Sequence, residues 1–179
     1  MDELTKKLDR LRDELARDEA SAKEAVTRLR TEGYAESIPV VIDLLLSTES
    51  VALREHIVEF LSDLKDGHAI PYIVDAIKAP EYGKIRGYLL EACWANGLDY
   101  SSFLPVFIDV AVTAESFGTA FEAHTVITNM SGCISRANIS DAIDRLNAAI
   151  RANPEDRKTP LWQNLVEYFT VEDAEEIDG

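Results

Sequence analysis

The sequence predicts an all-α fold, a right-handed α-α superhelical solenoid of about three to four helix pairs with a long N-terminal capping helix. Two observations carry this. The first is a repeat: Ile38-Pro39-Val40-Val41-Ile42-Asp43, Ile70-Pro71-Tyr72-Ile73-Val74-Asp75 and Leu104-Pro105-Val106-Phe107-Ile108-Asp109 share one pattern, with prolines 32 and then 34 residues apart. The second is that each copy is followed by a short polar loop and another amphipathic segment. A unit of two helices cannot bury both of its apolar faces alone, so it must stack on its neighbours.

Residues 2–32 read as one charged helix with leucines at 4, 8, 11 and 15, then Ala22, Ala25 and Leu29, and with Gly33 placed to stop it. The leucine spacing is heptad-like, but Asp18 falls where the next seam residue should be, so the segment is expected to cap the end of the stack. Dimerisation through this helix is the alternative, and the chain is otherwise expected to be a monomer. The segments are therefore 1–33 as N-terminal helix, 34–170 as repeat domain and 171–179 as acidic tail.

A proline in the first turn of a helix costs no hydrogen bond, because first-turn amides have no intrahelical acceptor. Each of the three copies accordingly starts a helix. The apolar runs after the prolines are nearly continuous, as expected of a helix held between neighbours, and no hairpin turn or period-two alternation favours strands. The second helices are expected at Val51 to Leu64, Lys84 to Asn96 and roughly Ser116 to Met130. Their apolar positions include Leu53, Ile57, Phe60 and Leu61, then Ile85, Leu89, Ala92 and Cys93, then Phe117, Ala120, Phe121, Ala123 and Ile127. Gly97 and Gly132 are read as helix stops. Residues 137–152 and 160–170 form a fourth, degenerate pair, the last helix being opened by Thr159-Pro160 with apolar positions Leu161, Leu165, Val166 and Phe169.

These residues resemble the HEAT-repeat family, over about Ser37 to Met130. The proline-started first helix matches, and so does a hydrophobe-arginine pair opening the second helix, present as Leu53-Arg54 and Ile85-Arg86. In the third copy Ala120 stands where the arginine would be. The resemblance implies that the arginines join a ladder of polar contacts between repeats and that the third repeat packs differently. Tetratricopeptide and ankyrin patterns are absent.

Charge narrows the partners. The net charge is −15; residues 1–33 hold nine acids and eight bases, 34–136 hold fourteen and six, and 171–179 hold five acids and no base. Such a surface repels phosphate backbones and anionic lipid, so neither nucleic acid nor a membrane is expected as partner. A basic protein or peptide is. The opening residues lack the apolar core of a signal peptide, and the longest apolar stretches are broken by Asp43 and Asp109, which favours a cytoplasmic, soluble protein. The two cysteines, Cys93 and Cys133, make neither a disulfide framework nor a metal quartet.

No His-Glu-x-x-His, phosphate-binding glycine loop, Gly-x-Ser-x-Gly or Cys-x-x-Cys pair occurs, so no catalytic residue, metal or cofactor is expected. His56 with Glu59 and Asp63 has helical spacing for a metal, but the trio is read as solvated surface residues. Aligning the second helices by the repeat offsets instead puts His56, Tyr88 and Glu122 at one level, Glu59, Glu91 and Thr125 at the next, and Ser62, Trp94 and Thr128 at a third. These positions face away from the apolar stripe. They predict an acidic and aromatic groove for a basic partner, in a non-enzymatic scaffold or adaptor. A toxin-neutralising immunity protein is the concrete alternative, and a HEAT-like enzyme such as a lyase with a dispersed site is the alternative from another class.

Overall fold

A computed structural model describes residues 3–175, and the side chains of residues 3–171. Among the described residues there is no strand, and the fold is 79% helix. The helices come in five packed pairs: α1 (Glu3–Leu15) with α2 (Glu19–Glu32), α3 (Ile38–Ser47) with α4 (Val51–Ser62), α5 (Ile70–Lys78) with α6 (Arg86–Asn96), α7 (Leu104–Thr113) with α8 (Phe117–Thr128), and α9 (Arg136–Ala152) with α10 (Thr159–Glu175). Two compact units are formed, Met1–Leu98 holding the first three pairs and Asp99–Gly179 the last two. In the first unit α1 packs on α3 and α3 on α5, while α2 packs on α4 and α4 on α6, giving two layers. In the second, α7 packs on α9 and α8 on α10.

The expected single helix over 2–32 is two helices. Asp18 breaks it: its backbone is extended and its carboxylate accepts from the Ser21 amide at 2.8 Å, capping α2. The leucine seam then folds back within the chain. Leu11 and Leu15 are buried and Leu4 and Leu8 half-buried, with α1 packed against α2 and α3. The N-terminal element is therefore a helix pair of its own, which raises the expected three to four pairs to five. At the other end α10 carries helix to Glu175, inside the acidic tail; residues 176–179 lie outside the described residues.

Pro39, Pro71 and Pro105 each stand in the first turn of a helix, as the repeat predicts. Each of those helices is entered through a single 3-10 turn, Ala35–Ser37, Gly67–Ala69 and Ser101–Phe103. Ser50 and Ser116 cap α4 and α8 by accepting from the amides of Leu53 and Thr119. Gly97 stops α6 in the left-handed conformation, at φ 67°, where a side chain would be strained. Gly132 is not a helix stop, since α8 already ends at Thr128. It marks a close approach instead. A Cβ there would lie 2.1 Å from Asp99 Oδ2, a carboxylate that accepts from the Ser101 amide and hydroxyl at 3.0 and 2.6 Å.

One polar device recurs at the ends of the first helices. Arg54 donates to Thr48 O at 3.3 Å, and Arg86 donates to Ile77 O and Ala79 O at 2.8 and 3.4 Å. Thr48 and Ala79 are the C-cap residues of α3 and α5, whose carbonyls have no intrahelical donor. At α7 the sequence offers Ala120 in place of the arginine, and Lys158 takes over: its Nζ donates to Val112 O and Ala114 O at 3.3 and 2.8 Å. These are the same two positions relative to the C-cap as Ile77 and Ala79. Trp162 reinforces the contact by donating Nε1 to Ala111 O at 2.9 Å. Thr159, expected to cap α10, instead donates its hydroxyl back to Asn153 O at 2.9 Å.

Two of the three repeated aspartates reach the following pair, while Asp75 pairs with Lys78 of its own helix. Asp43 accepts from the Tyr82 hydroxyl at 2.7 Å and Asp109 from Arg145 at 2.7 Å, so each ties its helix to the following pair within its unit. The Asp43 carboxylate holds the Tyr82 phenol neutral, with burial adding to the effect, and its pKa is pushed up to about 12. The folded value lies above the ordinary one of 10.0, so this contribution to stability is fully present below pH 10 and is lost as pH rises towards 12. A titration of tyrosinate absorbance is expected to show late-ionising tyrosines, Tyr82 and also Tyr34, whose phenol burial raises, and Asp43→Ala is expected to return one of them towards the ordinary range. An unchanged curve in the variant contradicts the bond.

Candidate functional site

The six candidate residues of the first unit lie on α4 and α6, which pack side by side. Leu53, Ile57, Phe60 and Leu61 of α4 and Leu89, Leu90, Ala92 and Cys93 of α6 are buried, which turns the intervening positions outward. The C-terminal ends of the two helices are tied together: the buried Asn96 donates to Leu61 O at 3.3 Å, and Lys65 Nζ donates to Asn96 O at 3.0 Å. Trp94 therefore stands on a fixed turn.

Tyr88 and Trp94 are large aromatic residues left 37% and 40% exposed. Glu91, half-buried, stands between them on α6. The Arg54 guanidinium of α4 lies 5.8 Å from the centre of the Tyr88 ring, a cation–π contact that orients the phenol across the two helices. Sequence spacing gave no hint of it, because Arg54 and Tyr88 belong to different pairs.

His56 is turned towards α2. Its Nε2 lies 3.2 Å from Lys23 O and 3.0 Å from Thr27 Oγ1; a carbonyl oxygen only accepts, so Nε2 carries the proton and donates. His56 thus fastens α2 to α4, and its remaining nitrogen is 4.0 Å from Glu59. Glu59 is exposed and lies 3.8 Å from Arg30 of α2, which also pairs with Asp63. Ser62 is half-buried on the same helix. The His56, Glu59 and Asp63 trio is spent on these contacts, and among the described residues no group of three or more His, Cys, Asp or Glu is placed to hold a metal ion.

Glu122 and Thr125 belong to α8 of the second unit. Thr125 donates its hydroxyl to Phe121 O at 3.0 Å, and both residues are half-buried. The structure thus groups six of the eight predicted residues and places the other two on a separate unit. It also corrects the buried face of α8. Ala120, Ala123, Val126 and Ile127 form that stripe, whereas Phe117 and Phe121 are 40% and 46% exposed.

A cavity of about 420 Å³ opens where α2 and α4 end, lined among others by Leu29, Arg30, Phe60, Asp63, Lys65 and Asp66. Its two carboxylates are matched by two cations, Arg30, which pairs with Asp63, and Lys65. Comparison with protein-family models, with curated proteins and with solved structures finds no match to the chain.

Proposed function

We propose that the chain is a HEAT-like solenoid acting without catalysis, a scaffold or adaptor that binds a basic protein or peptide across the outer face of α4 and α6. One observation carries the reading: Tyr88 and Trp94 stand 37% and 40% exposed on one helix, with Glu91 between them and Glu59 on the helix alongside. Aromatic side chains held by a rigid scaffold and ringed by charge are the residue types that anchor interfaces. A net charge of −15 steers cationic partners to the surface.

Binding kinetics on a panel of lysine- and arginine-rich peptides test this. Glu59→Lys with Glu91→Lys is expected to slow association and flatten its salt dependence. Tyr88→Ala and Trp94→Ala are expected mainly to speed dissociation, each costing roughly 1–3 kcal/mol. A peptide bound as tightly by all these variants as by the parent, at two salt concentrations, refutes the face.

A further inference from the structure

Two requirements of the fold meet at the end of α6 and create a chemically labile step there. Gly97 stops the helix at φ 67°, a conformation that glycine adopts without strain. Asn96 before it is 3% exposed and ties α6 to α4: its Nδ2 donates to Leu61 O at 3.3 Å, and its own carbonyl accepts from Lys65 Nζ at 3.0 Å. Its Oδ1 accepts from the Leu98 amide at 2.9 Å. The tie asks for asparagine and the stop asks for glycine. Together they make an Asn-Gly step, the one such step in the sequence. In a step of this kind no side chain on the second residue hinders its amide nitrogen from attacking the asparagine carboxamide.

We propose that Asn96-Gly97 is a deamidation site that the folded first unit holds closed, so that lasting excursions from the fold are recorded there covalently. The Gly97 nitrogen attacks Asn96 Cγ, its proton passing through water to the leaving nitrogen. The Cγ–Nδ2 bond breaks, ammonia departs, and a five-membered succinimide remains. Water then opens the ring at either carbonyl to give an aspartate or an isoaspartate, so one amide is exchanged for one carboxylate and nothing is oxidised or reduced. The structure holds this back in three ways. Asn96 belongs to α6, and its backbone must leave the helical conformation before the Gly97 nitrogen can swing onto Cγ. The carboxamide is held at both ends, by Leu61 O and by the Leu98 amide. Burial keeps out the water that carries the proton and opens the ring. The reaction therefore follows the population of the opened state. Its product does not restore the tie. A carboxylate at this position has no proton to donate to Leu61 O and is left against a carbonyl in a buried place. An isoaspartate adds a carbon to the backbone of the last turn of α6, which also carries Trp94.

Peptide mass spectrometry of the full chain, aged at mildly alkaline pH both folded and in concentrated urea, tests this. Acid is expected to appear at Asn96 in urea and to form on the order of a hundredfold more slowly in the folded chain. The mass gain of an amide-to-acid exchange sets it apart from isomerisation at Asp66-Gly67, which leaves the mass unchanged. Gly97→Ala, compared in urea where folding plays no part, is expected to slow the reaction severalfold, and an unchanged rate contradicts the proposed step. Asn96→Asp, one of the two products, is expected to raise the unfolding constant of the first unit by on the order of tenfold or more. A chain aged in urea and returned to buffer is expected to lose stability in step with the acid formed. A folded chain that gains acid at Asn96 as fast as the denatured one overturns the proposal, as does a denatured chain that gains none. An aged chain or an Asn96→Asp variant as stable as the parent overturns it too.

Discussion

Trp162→Ala is expected to destabilise the second unit by about 3–5 kcal/mol, the range for truncating a large buried aromatic side chain. Trp162 is 1% exposed and the largest of the fully buried side chains. Its loss opens a cavity between α7 and α10, frees Ala111 O of the indole donor, and removes the ring over which Lys158 Nζ lies, 5.3 Å from the centroid. Trp162→Phe keeps most of the volume and is expected to cost about 1–2 kcal/mol, mainly the hydrogen bond. Urea unfolding followed by circular dichroism measures both. A cost below about 1 kcal/mol for the alanine variant would mean that the Trp162 side chain is not packed against α7 as described.

The second large effect is expected at Lys158. Its side chain is 13% exposed and donates to two C-terminal carbonyls of α7, so Lys158→Ala is expected to cost about 2 kcal/mol. Arg86→Ala removes the equivalent pair of bonds from α5 and is expected to act alike. The repeat offsets add a sharper test. If Lys158 substitutes for the arginine missing at Ala120, then Ala120→Arg is destabilising alone, where the place is filled, and recovers part of the loss when combined with Lys158→Ala. Simple additivity of the two changes in a double-mutant cycle contradicts the substitution.

What the sequence disclosed divides along local and non-local lines. The proline-started helices and the Gly97 stop were legible because backbone chemistry fixes them within a few residues. Asp18 was visible as a break in the leucine seam, yet whether it bends a helix or caps a new one depends on the Ser21 amide and on what α1 packs against. The replacement of an arginine by Lys158 was not legible, since the lysine stands 44 residues from Ala114 in the chain. The buried face of α10 shows the same limit. Leu161 and Val166 were expected inside with Leu165 and Phe169, but the packed stripe is Trp162, Leu165 and Phe169, with Leu161 and Val166 half-buried.

The candidate site was partly legible for the same reason. Repeat offsets correctly turned Tyr88 and Trp94 away from the buried stripe of α6, because the phase of one helix follows from its own sequence. They could not reveal that His56 is spent on α2, that Arg30 sits beside Glu59, or that Arg54 covers Tyr88; each of these depends on a neighbouring pair. On α8 the stripe was set by small residues, Ala120 and Ala123, and the larger phenylalanines were drawn into the predicted core by hydrophobicity alone.

The two tryptophans allow a basic partner on the aromatic face of α6 to be read directly. Trp94 is 40% exposed and Trp162 is 1% exposed, so a neutral collisional quencher of fluorescence reports almost entirely on Trp94. Quenching is measured with and without a saturating lysine- and arginine-rich peptide, with Trp94→Phe as the control for the buried indole. The expected result is that the bound peptide removes most of the quenchable fraction in the parent and changes nothing in Trp94→Phe. A peptide that binds while Trp94 remains as open to the quencher as before, or a panel in which no basic peptide binds at low salt, contradicts a basic partner on this face.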